Sequence, residues 1–214
     1  MVRALKKAGV DFSILGCQET CTGDPARRAG NEYLFEMLAL ENVETFKSQG
    51  VTKIITHCPH CFNSLKNEYP AFGSRLEVIH HSEIFERLAV QNGLATGKKK
   101  KDQTIVFHDS CYLGRHNGQY DAPRNVIKKN SEEIKEIENS RERGTCCGAG
   151  GARFLMEEKT GTRISHLRVD ELMAARPDTI AVSCPFCILM LEDALKSRNL
   201  ADKVQVKDIS ELLK

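Results

Sequence analysis

Nine cysteines are the residues of this chain with the most chemistry in them, and they are grouped: Cys17 and Cys21, Cys58 and Cys61, Cys111, the adjacent Cys146 and Cys147, and Cys184 and Cys187. Two groups are Cys-Pro-x-Cys motifs, Cys58-Pro59-His60-Cys61 and Cys184-Pro185-Phe186-Cys187. Such a motif at a strand-to-helix turn places two sulfurs beside the first backbone N–H groups of a helix, where thiolate is stabilised. That suits a zinc site, a dithiol couple or an iron-sulfur centre, and the pair alone does not choose among them. Cys146-Cys147-Gly148-Ala149-Gly150-Gly151 adds two neighbouring thiols and glycines that let backbone approach a bulky inorganic core. Adjacent cysteines share one tetrahedral zinc poorly, whereas a multi-iron cluster offers separate irons to ligate. The odd count argues against full disulfide pairing.

Other polar residues near these motifs carry less. His57 and His60 flank Cys58 and suit either a zinc site or hydrogen bonds that tune a cluster. His80, His81, His108, His116 and His166 are read as structural. Arg27 and Arg153 are candidates to balance an anionic cluster. The glycines after Cys147 form neither a Gly-x-Gly-x-x-Gly nor a Walker pattern, so no nucleotide site is expected.

The elements that must position the sulfurs emerge from an internal repeat. Cys58 follows Cys21 by 37 residues and Cys184 follows Cys147 by 37. An offset of 126 also superposes Ala26-Arg27 on Ala152-Arg153, and it sets Thr20 where the second half has Cys146. In the first half a short apolar run, Phe12 to Leu15, precedes a helix from Asp24-Pro25 to about Leu40 and another from about Val43 to Gly50. Strand Lys53 to Thr56, a helix from Pro59 to Asn67, strand Glu77 to His80 and a helix capped by Ser82 and reaching Asn92 follow. The second half offers strands Thr104 to His108, Ile134 to Ile137, Thr179 to Ser183 and Val204 to Lys207, with helices near 152–175 and 185–197. The fold class expected is α/β: two tandem Rossmann-like βα repeats with mostly parallel sheets, whose cysteines lie at strand carboxyl ends. Residues 1–93 form the first repeat, degenerate and truncated at its start; 94–102 form a Lys-rich linker; 103–214 form the second, complete repeat.

The 214 residues are 41% hydrophobic and 28% charged with net charge +2, a composition that points neither to disorder nor to nucleic acid. No apolar run is long enough to span a bilayer and the start lacks a signal-peptide core, so a cytoplasmic protein is expected, with any contact at the cytoplasmic face of a membrane made through a partner.

Cys111, then Cys146-Cys147-Gly148, then Cys184-x-x-Cys187 resembles the cysteine-rich CCG domain of heterodisulfide reductase catalytic subunits and related iron-sulfur subunits. His108-Asp109-Ser110-Cys111-Tyr112-Leu113-Gly114-Arg115-His116-Asn117, Cys21-Thr22-Gly23-Asp24-Pro25-Ala26-Arg27-Arg28 and His57-Cys58-Pro59-His60-Cys61-Phe62-Asn63 are similar to the membrane-linked oxidoreductases that take electrons from electron-transfer flavoprotein. The resemblance covers nearly the whole chain. It implies an oxidoreductase component that passes electrons from a flavoprotein or flavin dehydrogenase through iron-sulfur clusters towards quinone. It places a five-cysteine ligand set on Cys111, Cys146, Cys147, Cys184 and Cys187, holding a [4Fe-4S] cubane or a non-cubane cluster. Cys21, Cys58 and Cys61, with Cys17, form a second, incomplete set for a further [4Fe-4S]; the counterpart of Cys111 would precede Met1, so a missing amino-terminal part and a membrane quinone-reducing subunit are expected partners. Two other functions compete: disulfide reduction at a five-cysteine cluster, and a zinc-stabilised interaction module.

Overall fold

The computed structural model describes residues 1–91, 103–130, 134–158 and 160–213. The first half runs α1 (Val2–Lys7), α2 (Asp24–Arg28), α3 (Glu32–Ser48), β1 (Lys53–Thr56), α4 (Pro59–Asn63), β2 (Glu77–His80) and α5 (His81–Val90). The second runs β3 (Ile105–Phe107), α6 (Asp121–Asn130), β4 (Ile134–Lys135), α7 (Ile164–Met173), β5 (Thr179–Val182), α8 (Pro185–Ser197) and β6 (Gln205–Asp208). The expected linker 94–102 lies outside the described residues, as does Asn92.

Every strand pairing is parallel: β1 with β2 in one sheet, and the order β4-β3-β5-β6 in the other. The α/β expectation with parallel sheets therefore holds. β5 is buried along its whole length, as a central parallel strand covered on both faces must be. The chain order of the larger sheet reverses between β3 and β5. In open parallel sheets the crevice at such a reversal is where ligands bind.

The repeat survives in three dimensions. β1 and β5 superpose at an offset of 126, and the buried faces of α3 and α7 do too: Ala39, Asn42, Val43 and Phe46 answer to Ser165, Arg168, Val169 and Leu172. The halves are packed together through a common core, in which Phe85 and Leu88 of α5 meet Ile105, Phe107, Val126, Ile127, Ala181 and Ile209. Each of these side chains other than Ala181 contributes about 1.5–3 kcal/mol by leaving water.

Several expected boundaries move. The helix expected from Asp24 to Leu40 breaks at Gly30, whose φ of +87° no helix accepts. Asn31 then caps α3, its side chain accepting the Leu34 N–H at 3.0 Å, and α3 runs on through the expected gap to Ser48. His80, not Ser82, caps α5, and Glu83 closes the box by accepting the His80 N–H at 3.0 Å. The helix expected near 152–175 is a 3-10 turn, Arg153–Leu155, followed by α7.

Candidate functional site

Both Cys-Pro-x-Cys motifs sit where the chain leaves a strand and enters a helix. Cys58 and Cys184 are the N-cap residues of α4 and α8, each followed by a proline whose missing N–H costs nothing at that position. Cys111 follows β3. Three segments thus deliver sulfur to the carboxyl ends of parallel strands, and the Cys146-Cys147 loop closes over them.

Seven of the nine sulfurs stand near enough to shift one another's proton affinity in one unbroken run. Cys61 faces Cys58, Cys58 faces Cys184, Cys184 faces Cys187, Cys187 donates to Cys147 at 3.4 Å, and Cys147 and Cys111 both face Cys146. The Cys58–Cys184 contact joins the two halves through residues that are equivalent in the repeat. The middle residues of the two motifs, His60 and Phe186, also meet, edge to face at 5.0 Å. The halves therefore present equivalent cysteines to each other.

The run holds two sites for negative charge. Hydrogen bonds from Cys111 and Cys147, and then the Gly148 N–H at 3.3 Å from the sulfur, pull the Cys146 thiol far below its ordinary range. Burial pushes Cys184 up, but Cys187, Cys58 and the first-turn N–H groups of α8 outweigh it and hold this thiol well below normal. Their partners move the other way. Donating to Cys184 raises Cys58 to about 12, and Cys111, Cys147 and Cys61 are also raised by the sulfurs they face. Thiolate is the form that ligates metal.

The structure corrects the register of the first-half loop. The Gly23 N–H lies 3.4 Å from Cys21 sulfur as the Gly148 N–H does from Cys146, and both glycines have positive φ, +79° and +93°. Thr22 donates to Cys61 at 3.4 Å, in the place of the Cys147–Cys187 contact. Cys21-Thr22-Gly23 therefore answers to Cys146-Cys147-Gly148, so that Thr22 replaces the second cysteine and Thr20 is no counterpart of Cys146. The equal spacing of 37 misleads because the second-half segment is one residue longer.

Among the second-half sulfurs Cys111 and Cys146 are half-buried and the other three are buried. Cys147, Cys184 and Cys187 are 3% exposed or less. Asp109, two residues before Cys111, is clamped by Arg124 at 2.7 and 2.8 Å and accepts the Arg141 N–H at 2.8 Å. Arg124 is itself 1% exposed and also pairs with Glu136. Tyr112 stacks on His60 at 4.0 Å and on His116 at 4.3 Å, and Phe186 leans on Phe154 at 4.6 Å, covering the seam between the motifs.

Buried polar atoms without a protein partner gather near the same sulfurs: Ser110 Oγ beside Cys111, Ser183 Oγ beside Cys184, Ser165 Oγ beneath Gly148, His108 Nε2 and Arg168 Nη2. Native interiors leave few such groups unsatisfied. Soft sulfur ligands surrounded by unmet donors fit an iron-sulfur cluster, whose sulfides are acceptors.

His108, read from sequence as structural, belongs to this site. One of its ring nitrogens and the sulfurs of Cys147 and Cys187 lie within 4.8 Å of one another. Burial, and then the charge of Arg168, push its imidazole down to about 3. Its signal was its place in His108-Asp109-Ser110-Cys111, at the end of a strand that aims at the sulfurs. Arg168 gave none, because a lone arginine inside an amphipathic helix reads as surface.

Other expected residues have different employment. Arg27 pairs with Glu32 and Glu68, and Arg153 with Glu158, so both guanidinium groups are spent on carboxylates. His60 pairs through Nδ1 with Asp24 at 2.8 Å. Cys17 and Cys21 are exposed and stand outside the run of sulfur contacts.

A family described as a cysteine-rich domain, CCG, matches residues 1–66 and 105–192. The chain is 46% identical over its full length to an EtfAB:quinone oxidoreductase of Syntrophomonas wolfei, covering 31% of that protein. It is 46% identical over 99% of its length to a probable iron-sulfur-binding oxidoreductase, FadF, of Bacillus subtilis, covering 30%. It is 32% identical over 97% of its length to one subunit of the dihydromethanophenazine:CoB–CoM heterodisulfide reductase of Methanosarcina acetivorans, covering 52% of that subunit. The chain thus spans about a third of the first two relatives and about half of the third. Among the described residues no helix is long and apolar enough to cross a membrane.

Proposed function

The chain belongs to the cysteine-rich CCG domain family, and from that premise we propose that it is an iron-sulfur electron-transfer region of an oxidoreductase, with Cys111, Cys146, Cys147, Cys184 and Cys187 as its main ligand set. The observation that carries this reading is the unbroken run of seven sulfurs at strand carboxyl ends, bordered by buried donors without partners. Cys21, Cys58 and Cys61, with Cys17 or a residue from elsewhere in the assembly, would hold a second [4Fe-4S] group. Residues 1–93 and 103–214 are the two repeats and 94–102 joins them.

A bound cluster supplies one-electron changes of charge without proton transfer. This chain's residues do the rest. Cys146 and Cys184 provide ready thiolate, the first-turn N–H groups of α8 and the Gly148 N–H stabilise negative charge, and Tyr112, His60, Phe186 and Phe154 limit water. The Cys58–Cys184 contact brings the two ligand sets together, so an electron need not cross bulk protein to pass between them. The donor is a reduced flavoprotein, electron-transfer flavoprotein or a flavin dehydrogenase, giving up two electrons one at a time. The acceptor is quinone, reached through a membrane partner at the cytoplasmic face and taking the same two electrons with two protons.

The test is low-temperature spin-resonance spectroscopy of anaerobically purified wild type and Cys147→Ser, with iron and sulfide counted in each. A cluster signal in wild type that is changed or lost in the variant is expected. Zinc without iron would overturn the iron-sulfur reading, and an unchanged signal with unchanged iron would remove Cys147 from the ligand set.

A further inference from the structure

His108 follows β3, three residues before Cys111, and is fully buried. Arg168 of α7, also fully buried, donates its Nε–H to His108 Nδ1 at 3.1 Å. That arginine is locked in place, because Nη1 donates to the Asn139 carbonyl at 2.9 Å and to Glu171 at 2.8 Å. A guanidinium can only donate, so Nδ1 must accept and the ring proton resides on Nε2. Nε2 is buried with no protein partner, and the ring stands within 4.8 Å of the Cys147 and Cys187 sulfurs. Folded proteins rarely leave an N–H unpaired in such a place. A protonated nitrogen has no lone pair to offer a metal. The arginine thereby excludes His108 as a ligand and makes it a donor.

We propose that His108 is a positioning residue for the main iron-sulfur site: its Nε2–H donates to the cluster or to the Cys147 and Cys187 sulfurs, Arg168 fixes the tautomer that permits this, and the bond raises the reduction potential. This rests on the iron-sulfur reading above. A hydrogen bond to sulfur stabilises the reduced, more negative state, which is why such donors set the potentials of iron-sulfur centres.

The experiment compares midpoint potentials from spin-resonance redox titrations of the full chain as wild type, His108→Asn and His108→Gln, with iron and sulfide counted in each. Asparagine keeps an acceptor near the Nδ1 position for Arg168 but is too short to replace Nε2–H. Glutamine restores an N–H at about that reach. The expected result is full iron in all three proteins, a more negative potential in His108→Asn and recovery towards wild type in His108→Gln. Full iron with an unchanged potential in His108→Asn overturns this inference alone. Loss of iron in both variants makes His108 a ligand and overturns its role as donor. Wild type without iron overturns the reading of the site beneath it, and this inference with it.

Discussion

The two halves make the same strand-to-helix turn and surround it differently. In each, a Cys-Pro-x-Cys cysteine caps a helix at the end of a parallel strand, a positive-φ glycine presents its N–H to a loop sulfur, and a long helix packs behind. The first half stops there. Its loop has Thr22 where the second has Cys147, its helix has Asn42 where the second has Arg168, and its Cys21 is exposed. In the second half β3 delivers Cys111, His108 and the clamped Asp109 beside the turn. The turn supplies two sulfurs, but number, burial and charge balance come from the flanking segments. The two loops therefore present different sulfurs on a shared framework.

The strongest way to break this contrast is to delete equivalent ligands. Cys184→Ala is expected to abolish the main cluster's signal, since Cys184 is the buried thiolate on which Cys58 and Cys187 both converge. Cys58→Ala removes a ligand of the incomplete set only, so the main signal should stay. Spin-resonance spectra beside iron and sulfide counts measure both, and loss of the main signal in both variants would erase the distinction.

The next effect concerns the clamp that the first half lacks. Arg124→Met leaves Asp109 buried without its bidentate partner, and breaking a buried pair from one side costs about 3–5 kcal/mol. Urea denaturation should show a loss of that size, and a loss below about 1 kcal/mol would mean that Asp109 needs no counter-charge to hold the Cys111 segment.

The parts of this arrangement that were legible in the sequence are those where local chemistry and tertiary demand agree. β1, β2 and α8 begin and end where apolar runs, proline and glycine say they should. The cysteine groups, the repeat and the strand-end location of the sulfurs were legible too. What escaped depends on partners distant in sequence. Equal cysteine spacing concealed a one-residue shift that the Gly23–Cys21 and Thr22–Cys61 contacts reveal. α6 went unread because its two interior apolar residues, Val126 and Ile127, gain meaning only against α5 of the other half. His108 looked structural because the arginine that sets its tautomer lies 60 residues away. The convergence of both cysteine sets could not be read from either repeat alone, since it is set by how the two halves pack together.

The smallest effect asks whether the halves share a pH response despite their different sites. His80 in the first half and His108 in the second are both lowered by burial, His80 further by its neighbour His81 and His108 by Arg168. His80 sits between Ser82 at 2.8 Å and His81 at 3.2 Å, with His81 passing on to Asp208 at 3.1 Å. An unfolded histidine titrates near about 6.5. Each folded value lies below that, so the unfolded chain binds more protons as acid is added. The stability contributed is complete above about pH 6.5 and is lost as pH falls towards the folded values, at up to about 1.4 kcal/mol per pH unit for each group. Iron-free wild type should therefore weaken between about pH 6 and pH 5, and His80→Gln should lower that slope by about one group's share while leaving the His108 share in place. Urea denaturation across that range reads both slopes. An unchanged slope in His80→Gln would show that burial at the junction of the halves does not hold His80 neutral.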